Sequence, residues 1–368
     1  MIADNAWVDA LVRMGIVAVA VPVAVIVLTY VERKVIGRLQ MRLGPMRVGP
    51  YGTLQGVADT IKLLTKEDLR PQTADRWTFE LAPFVIVVPV FLALVTLPFT
   101  ADLFVRNLTL GLFYIVAVSG LSIVGFVMAG WGSDNKYALL GGARAAAQLI
   151  SYEIPLVMAV LAVAMLGQTL NLAELVDGQG SVPYIVWQPL PFFIFLVAGL
   201  AELYRQPFDI PVAESEVVGG PFVEYSGIRW SMFQMGEFVS MVLISILGSL
   251  LFLGGWNWPL GNEAGAALQV PMMVVKTSAF ILMFMWLRGT LPRLRIDQMM
   301  AFCWQVLLPF AFLQIIINGW VLVYDWPDWV MGVLSGLATA AALYLTYRGA
   351  QQAAEPVSPR LHRVGSAF

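Results

Sequence analysis

Apolar segments of membrane-spanning length dominate this chain of 368 residues. An α-helix needs roughly 20 mostly apolar residues to cross the hydrocarbon core of a bilayer. Hydrophobic residues make up 59% of the chain and charged residues 12%, which is about half the charged fraction of a typical soluble domain. The sequence predicts an all-α integral membrane protein of about nine transmembrane helices. These lie at approximately 11–31, 79–99, 108–130, 143–166, 185–204, 232–254, 270–288, 301–323 and 329–347.

Lysine and arginine are concentrated on alternate connections between the predicted spans. The connections at 167–184, 255–269 and 324–328 contain neither residue type. Because positive side chains are retained on the cytoplasmic side, we expect the N-terminus outside and the C-terminus inside. The whole chain, 1–368, is then a single transmembrane helical domain, and its longest inner loops are 32–78 and 205–231.

Scarcity of metal-ligating residues limits the cofactors that the chain can hold. Cys303 and His362 are the only cysteine and histidine, whereas an iron–sulfur cluster needs about four thiolates and a structural zinc about four ligands. Phosphate-binding glycine motifs are also missing from the sequence. We therefore expect no metal, no iron–sulfur cluster, no covalently bound cofactor and no nucleic-acid partner. If the protein serves electron transfer, the electrons stay on the cofactors of a partner.

The first inner loop contains a segment with the pattern of an amphipathic helix. The apolar face carries Leu54, Val57, Ile61 and Leu64, and the polar face carries Gln55, Asp59, Lys62 and Lys66. Basic amphipathic helices commonly lie in the membrane interface. Lipid contact alone explains such a helix. The alternative is that the helix borders an entrance and guides a lipophilic ligand into a site at the cytoplasmic surface.

Three carboxylates, Glu153, Glu202 and Glu237, fall within predicted spans. A charge at the bilayer centre costs about 3 kcal/mol or more, so such residues usually face a protein interior or a wet cavity and serve function. We predict a proton-transfer role for the three, the alternative being a structural ion pair or a hydrogen-bonded neutral acid. Lys276 also lies in a span, where it either snorkels to the outer interface or pairs with a buried acid, and we favour pairing.

The inner loop 205–231 is unusually acidic. Pro207 and Pro211 prevent a continuous helix there, and four carboxylates share the loop: Asp209, Glu214, Glu216 and Glu224. Crowded carboxylates titrate as a coupled set. The loop therefore suits a proton reservoir, or the docking of a basic partner domain, and the two interpretations are compatible.

An ordered set of motifs runs along most of the chain. They are Glu32-Arg33-Lys34, Arg42-Leu43-Gly44-Pro45-Met46-Arg47-Val48-Gly49-Pro50, Ala58-Asp59 with Lys62, Lys66-Glu67-Asp68, Gly130-Trp131, Asn135-Lys136-Tyr137, Leu140-Gly141-Gly142, Arg144, Ser151-Tyr152-Glu153, Ala201-Glu202, Pro207-Phe208-Asp209-Ile210-Pro211, Ala213-Glu214-Ser215-Glu216, Val223-Glu224-Tyr225-Ser226, Arg288 with Leu291-Pro292-Arg293, and Arg295-Ile296-Asp297-Gln298. Together these motifs resemble the quinone-site membrane subunit of respiratory complex I. The resemblance extends from about residue 30 to about residue 310. Any one motif is weak, but their order and spacing are specific.

This resemblance implies a non-redox subunit of a proton-translocating NADH:quinone oxidoreductase, with quinone as substrate. The quinone chamber or its inner loops would be formed by Glu32, Arg42, Arg47, Asp59, Arg205, Phe208, Asp209, Glu214, Glu216 and Glu224, and the proton relay by Glu153, Glu202 and Glu237. Implied partners are the hydrophilic-arm subunits with the terminal iron–sulfur cluster, small membrane subunits, antiporter-like subunits and the lipid bilayer. The implied location is a bacterial inner membrane.

Some positions depart from the family pattern. The family often has Asn where Met46 and Tyr204 stand, Glu where Val212 stands, and Gly and Lys where Cys303 and Gln305 stand. Some members also carry an acid in the third span, where this chain has Gly120 and Ser122. The proton relay is therefore expected to contain fewer acidic residues, or to depend more on water molecules.

Three alternatives to this function stay open at this point. Related ferredoxin-, plastoquinone- or hydrogenase-linked complexes use similar subunits. A stand-alone secondary transporter would also suit buried acids and broken helices, although such transporters often contain internal repeats and none is visible in this sequence. A purely structural membrane anchor would not need charges within its spans, given their cost. The electron donor and the type of quinone are not determined by the sequence.

Overall fold

A computed structural model describes residues 6–101, 103–180, 182–258 and 265–354, and the side chains at 6–11, 214, 266 and 350–354 fall outside that description. All regular structure in the described part of the chain is helical. The helices are α1 (Ala6–Leu39), α2 (Gln55–Thr65), α3 (Arg76–Leu94), α4 (Gly111–Ser119), α5 (Ser122–Gly132), α6 (Lys136–Gly167), α7 (Leu172–Asp177), α8 (Tyr184–Trp187), α9 (Pro189–Glu202), α10 (Glu214–Val217), α11 (Gly227–Phe252), α12 (Ala266–Thr290), α13 (Ile296–Phe302), α14 (Leu308–Val323) and α15 (Asp328–Ala354). The prediction of an all-α integral membrane protein is confirmed.

Eight helical segments of the described chain are long and apolar enough to cross a bilayer. They are Val12–Leu39, Arg76–Leu94, Gly111–Gly132, Lys136–Gly167, Gly227–Phe252, Ala267–Thr290, Ile296–Val323 and Asp328–Gly349. Each corresponds to one of the nine predicted spans, and most differ from the prediction by a few residues at their ends. The direction in which they cross the membrane stays a prediction.

The predicted span at 185–204 differs from the other eight. Its continuous part is α9, with 14 residues, and at 1.5 Å per residue it is about 21 Å long, short of the ~30 Å hydrocarbon core. Gln188, with φ −132° and ψ 61°, interrupts the helix, and Pro189 starts the new one. Proline lacks the N–H that would continue a helix across this point, so hydropathy alone overestimated the length of the segment.

The centre of the bundle is formed by α6, α9 and α11. Helix α6 packs against α5, α9 and α14, while α11 packs against α3 and α12. The largest apolar core lies among these helices, and Phe195, Phe252 and Tyr152 are among its fully buried side chains. A second, smaller core lies among α3, α5, α11 and the loop 205–231, where the rings of Phe79 and Tyr225 stack at 4.1 Å. This second core places the acidic loop against the helix ends.

Helix α2 confirms the predicted amphipathic helix. It packs against α1 and α11, and the apolar side chains Val57, Ile61 and Leu64 remain exposed on the chain. An exposed apolar row beside a polar row suits a helix that lies along the membrane surface, so α2 supplies a side wall next to the inner end of α1.

The last but one span is not a uniform α-helix. Between α13 and α14, residues Cys303–Leu307 form a π-helical turn, a rare local widening that is frequent at functional sites. The thiol of Cys303 donates to the carbonyl oxygen of Ser151 at 3.0 Å. Pro155 frees this carbonyl in α6, so the π-helical turn supplies the donor that the interrupted helix lacks.

Candidate functional site

A buried ion cluster joins three distant parts of the chain. Glu32, near the inner end of α1, accepts a hydrogen bond from Arg205 at 2.7 Å and a second one from Arg288 of α12 through the same oxygen, Oε1. Glu32 and Arg205 are each only 5% exposed, and the guanidinium of Arg205 also lies 4.9 Å from the ring centroid of Phe238. Because the cluster is buried, the negative charge of Glu32 is needed to compensate the positive charges of the two arginines.

The loop that carries Arg205 is fixed from two sides. Gln148, fully buried in α6, donates to the carbonyl oxygens of Ala201 at 2.7 Å and Phe208 at 2.8 Å. From the other side, the backbone N–H of Leu294 donates to the carbonyl of Pro207 at 3.1 Å. The position of the loop therefore depends on a buried amide as well as on charge.

A polar cavity of about 680 Å³ opens beside this cluster, and we refer to it as the inner chamber. Its walls are Tyr204, Arg205, Asp209, Val212, Ser215, Glu237, Arg288 and Arg293. Within it, Arg293 donates to Asp209 at 2.9 Å and to the hydroxyl of Ser215 at 3.2 Å. Three arginines and two carboxylates thus face one space at the inner ends of α11 and α12.

A second cavity, of about 20 Å³, lies deeper between α3, α5, α6, α9 and α11, and we call it the linking cavity. It has room for about one water molecule. Its polar lining consists of Ser122, Glu202, Tyr204, Glu237 and Ser240. Because Glu237 and Tyr204 also line the inner chamber, the two spaces share a wall that carries a carboxylate and a phenol.

Glu153 lies next to the linking cavity but is not part of its lining. Its carboxylate packs against Gly120, where an added methyl group would lie 2.5 Å from Oε1, and its charge interacts with that of Glu202. Gly120 therefore leaves room for the carboxylate from α6. The structure brings all three predicted intramembrane acids into one region.

A lateral groove of about 260 Å³ lies between α1, α2 and α11, and it contains the predicted residue Asp59. Asp59 accepts hydrogen bonds from Arg33 at 2.5 Å and from Gln55 at 3.0 Å. Burial by itself would raise the pKa of Asp59, but these hydrogen bonds and the charges of Arg33 and Lys62 lower that pKa overall. Asp59 is therefore ionised at neutral pH and holds α2 to α1. The rest of the groove is largely apolar.

The remaining predicted residues are more dispersed. Arg42 and Arg47 are exposed in the loop after α1 and line none of the cavities described here. Phe208 is buried against the ring of Tyr152 at 5.3 Å, and it acts in packing. Glu216 pairs with Arg144 at 2.6 Å, and Glu224 accepts from Asn135 at 2.6 Å. The side chain of Glu214 lies outside the described residues, as does His362.

Lys276 does not make the interaction that the sequence favoured. Its ammonium donates to the carbonyl oxygens of Leu253 and Asn257, both at 2.6 Å, at the C-terminal end of α11. Within the described part of the chain, no acid pairs with it. The described residues therefore do not show the predicted ion pair. The C-terminal end of a helix presents unpaired carbonyls, which stabilise a nearby cation, and these take the place of the expected acid.

Sequence reasoning missed several members of the site. Arg288 and Arg293 were noted only as parts of motifs, and Tyr204 only as a departure from the family. Gln148 was not singled out, although a polar amide within an apolar span is itself an indication of buried hydrogen bonding. No group of three or more His, Cys, Asp or Glu that could hold a metal is present in the described ranges.

Comparisons with known proteins agree with this description. A family model described as NADH dehydrogenase matches residues 12–319. The chain is also similar to bacterial proteins named as the H subunit of NADH-quinone oxidoreductase. It is 47% identical over 296 residues to that of Brevibacillus brevis, covering 80% of this chain and 88% of the relative. For Dehalococcoides mccartyi strain CBDB1 the identity is 43% over 334 residues, covering 91% and 92%. For Anoxybacillus flavithermus it is 48% over 314 residues, covering 83% and 93%.

Proposed function

This chain belongs to the NADH dehydrogenase family, and we propose that it serves, like these relatives, as a membrane subunit of a proton-translocating NADH-quinone oxidoreductase. The name of its relatives supports quinone as the substrate of the complex. The observation that carries the proposal is the shared wall of the two cavities: Glu237 lines both the inner chamber and the linking cavity, which also contains Glu202. A charge change in the chamber is therefore felt directly by the intramembrane acids.

The inner chamber suits the polar head of a quinone. Reduction of a quinone adds electrons and takes up protons, so negative charge develops at its oxygens. Arg205, Arg288 and Arg293 provide cations that stabilise such charge, and Asp209 and Glu237 provide carboxylates near enough to exchange protons. The lateral groove between α1, α2 and α11 suits the apolar tail, because its walls include Val25, Ile26 and Leu63 among other apolar side chains and it lies beside the interfacial helix.

Coupling proceeds from the chamber into the membrane. Charge that appears in the chamber changes the proton affinity of Glu237, because interactions between charges are strong where water is scarce. Glu237 then exchanges a proton with Glu202 through the linking cavity, and Glu202 acts on Glu153 through its charge. Such a chain converts a local charge event into a distant response. The acids Glu216 and Glu224, held by Arg144 and Asn135, extend the carboxylate set at the inner surface.

The orientation and partners follow from the same proposal. The basic connections support an orientation with the inner chamber on the cytoplasmic side and the N-terminus outside. The electrons come from the terminal iron–sulfur cluster of a hydrophilic-arm subunit, which docks over the chamber, and the proton relay leads toward small and antiporter-like membrane subunits. The complex resides in a bacterial inner membrane. Arg42 and Arg47, exposed in the loop after α1, are suited to contact the docked arm.

The decisive experiment replaces each acid in the whole complex. We expect Glu153→Gln, Glu202→Gln and Glu237→Gln to lower quinone reduction and proton pumping together in proteoliposomes, with the complex still assembled. The matched control is Glu174→Gln, because Glu174 binds Thr169 and Asn171 in the loop after α6, outside both cavities. Full activity and unchanged proton-to-electron stoichiometry in all three variants would contradict the proposal. Ion transport by the purified chain alone would favour a stand-alone transporter instead.

A further inference from the structure

Tyr204 occupies the boundary between the inner chamber and the linking cavity. It follows α9 directly, lines both spaces, and is only 5% exposed. Its ring packs edge-to-face against Phe126 at 4.8 Å, which fixes the side chain. The buried hydroxyl has no hydrogen-bond partner among the described residues. A buried hydroxyl without a partner is costly, so its presence at this boundary needs a reason.

The backbone conformation at Tyr204 is a second reason to expect a specific role for this side chain. Its φ is +50°, in the left-handed region, which asparagine tolerates far better than an aromatic residue does. This chain therefore keeps a tyrosine where the backbone favours a smaller residue. Packing against Phe126 accounts for the ring but does not require the hydroxyl.

The linking cavity supplies the missing partner. Its volume of about 20 Å³ accommodates one water molecule, and Glu202, Glu237, Ser122 and Ser240 offer that water the polar contacts it needs. A water in this place would also reach the hydroxyl of Tyr204, which lines the same cavity.

We propose that the hydroxyl of Tyr204 is a proton-relay group that passes protons between Glu202 and Glu237 through one water molecule in the linking cavity. This inference rests on the proposed function. In each transfer the water receives a proton from one carboxylic acid, the hydroxyl receives one from the water, and the hydroxyl releases its own proton to the other carboxylate. One O–H bond forms on Tyr204 as another breaks, so the phenol stays neutral throughout.

Electrostatics support a neutral relay. A phenol ordinarily loses its proton only near pH 10. Burial opposes a phenolate at Tyr204 further, and so do the negative charges of Glu237 and Glu202. The hydroxyl therefore keeps its proton at neutral pH and can both donate and accept. Since a relay has to be protonated before and after each transfer, this state is the useful one.

The test is Tyr204→Phe in the whole complex in proteoliposomes, which removes only the hydroxyl. We expect quinone reduction and pumping to fall about tenfold, less than the ~100-fold or more of a group that exchanges a proton with the substrate itself, since water partly replaces a hydroxyl. The remaining turnover should slow more in D2O than turnover of the unaltered complex does, which a structural role would not cause. Tyr204→Asn should restore part of the rate, because a smaller side chain admits a second water.

Two further variants make the outcome unambiguous. Tyr225→Phe is the matched control: that hydroxyl is also buried, but it donates to the carbonyl of Phe79 at 3.1 Å and lies outside both cavities, so turnover should be unchanged. Ser240→Val leaves Tyr204 intact and fills the linking cavity, and it should slow turnover as Tyr204→Phe does. Normal turnover in Ser240→Val refutes the inference even if Tyr204→Phe fails to assemble.

The results also separate this inference from the proposed function. If Glu237→Gln is impaired while Tyr204→Phe turns over normally, Tyr204 is no relay and the proposed function stands. If Glu153→Gln, Glu202→Gln, Glu237→Gln and Tyr204→Phe all turn over normally, the proposed function fails with the inference. An equal loss in Tyr204→Phe and Tyr225→Phe would show that removing any buried hydroxyl in this region disturbs the fold, and it would overturn the inference.

Discussion

Glu32→Gln is expected to destabilise the chain because it leaves a cation buried. Glu32 and Arg205 are each 5% exposed, and Glu32 also holds Arg288. Removing one partner of a buried ion pair costs about 3–5 kcal/mol, since the other charge loses compensation. Glutamine keeps one acceptor oxygen, so we expect about 3 kcal/mol, the lower end of that range. Denaturant unfolding of the purified chain in detergent micelles, followed by circular dichroism, measures this difference.

The control for this prediction is a second carboxylate with two arginines. Glu80 binds Arg70 at 3.2 Å and lies 3.6 Å from Arg76, but its side chain is 33% exposed. Exposed pairs contribute at most about 1 kcal/mol, so Glu80→Gln should change the unfolding free energy little. Equal losses in the two variants would refute the claim that burial sets the cost. Adding Arg205→Met to Glu32→Gln should recover most of the loss, because the buried uncompensated cation is then gone and the remaining one, Arg288, has a side chain that is 35% exposed to solvent.

Other perturbations test separate contacts. Gln148→Leu leaves the carbonyl of Phe208 without a donor, at about 1–3 kcal/mol for a buried acceptor, and it leaves the carbonyl of Ala201 with only the backbone N–H of Tyr204. The substitution should expose the loop 205–211 to limited proteolysis, and an unchanged digestion pattern would count against the contact. The folded pKa of Asp59 lies below its ordinary value of 3.8. Its stabilising contribution is therefore complete above that value and is lost as the pH falls through the folded pKa. Distances between spin labels on α1 and α2 should stay constant from pH 8 to about pH 5 and increase only in stronger acid, whereas a change near neutrality would contradict this. Lys276→Met should speed hydrogen exchange in the last turn of α11 without slowing quinone reduction; slowed reduction would show that Lys276 acts beyond the helix end.

The spans were predictable because a bilayer imposes length and apolarity on a sequence directly. Eight of them agree with the structure to within a few residues at most ends. The exception, α9, illustrates the limit: Gln188 and Pro189 end one short helix and begin another, and hydropathy averages across them. The local sequence determines neither the backbone angles at such a break nor the residues that pack against it.

The site was predicted in part. Charges inside spans identified Glu153, Glu202 and Glu237, because an intramembrane charge is rarely without function. The ion pairs of the site were not predictable, since their members come from distant segments of the sequence: Glu32 of α1 meets Arg288 of α12. The partners of Lys276 were not predicted for a related reason. They are backbone carbonyls at the end of α11, and the residue types around Lys276 in α12 do not indicate that a helix end lies beside it.

Chemistry in the inner chamber is expected to change the protonation of Glu237. Redox-induced infrared difference spectra of the whole complex measure this change, because the carbonyl stretch of a protonated carboxylic acid is distinct from that of a carboxylate. We expect a carboxylic-acid difference band on quinone reduction that disappears in Glu237→Gln and persists in Glu174→Gln. An identical band in the unaltered complex and in Glu237→Gln would contradict it.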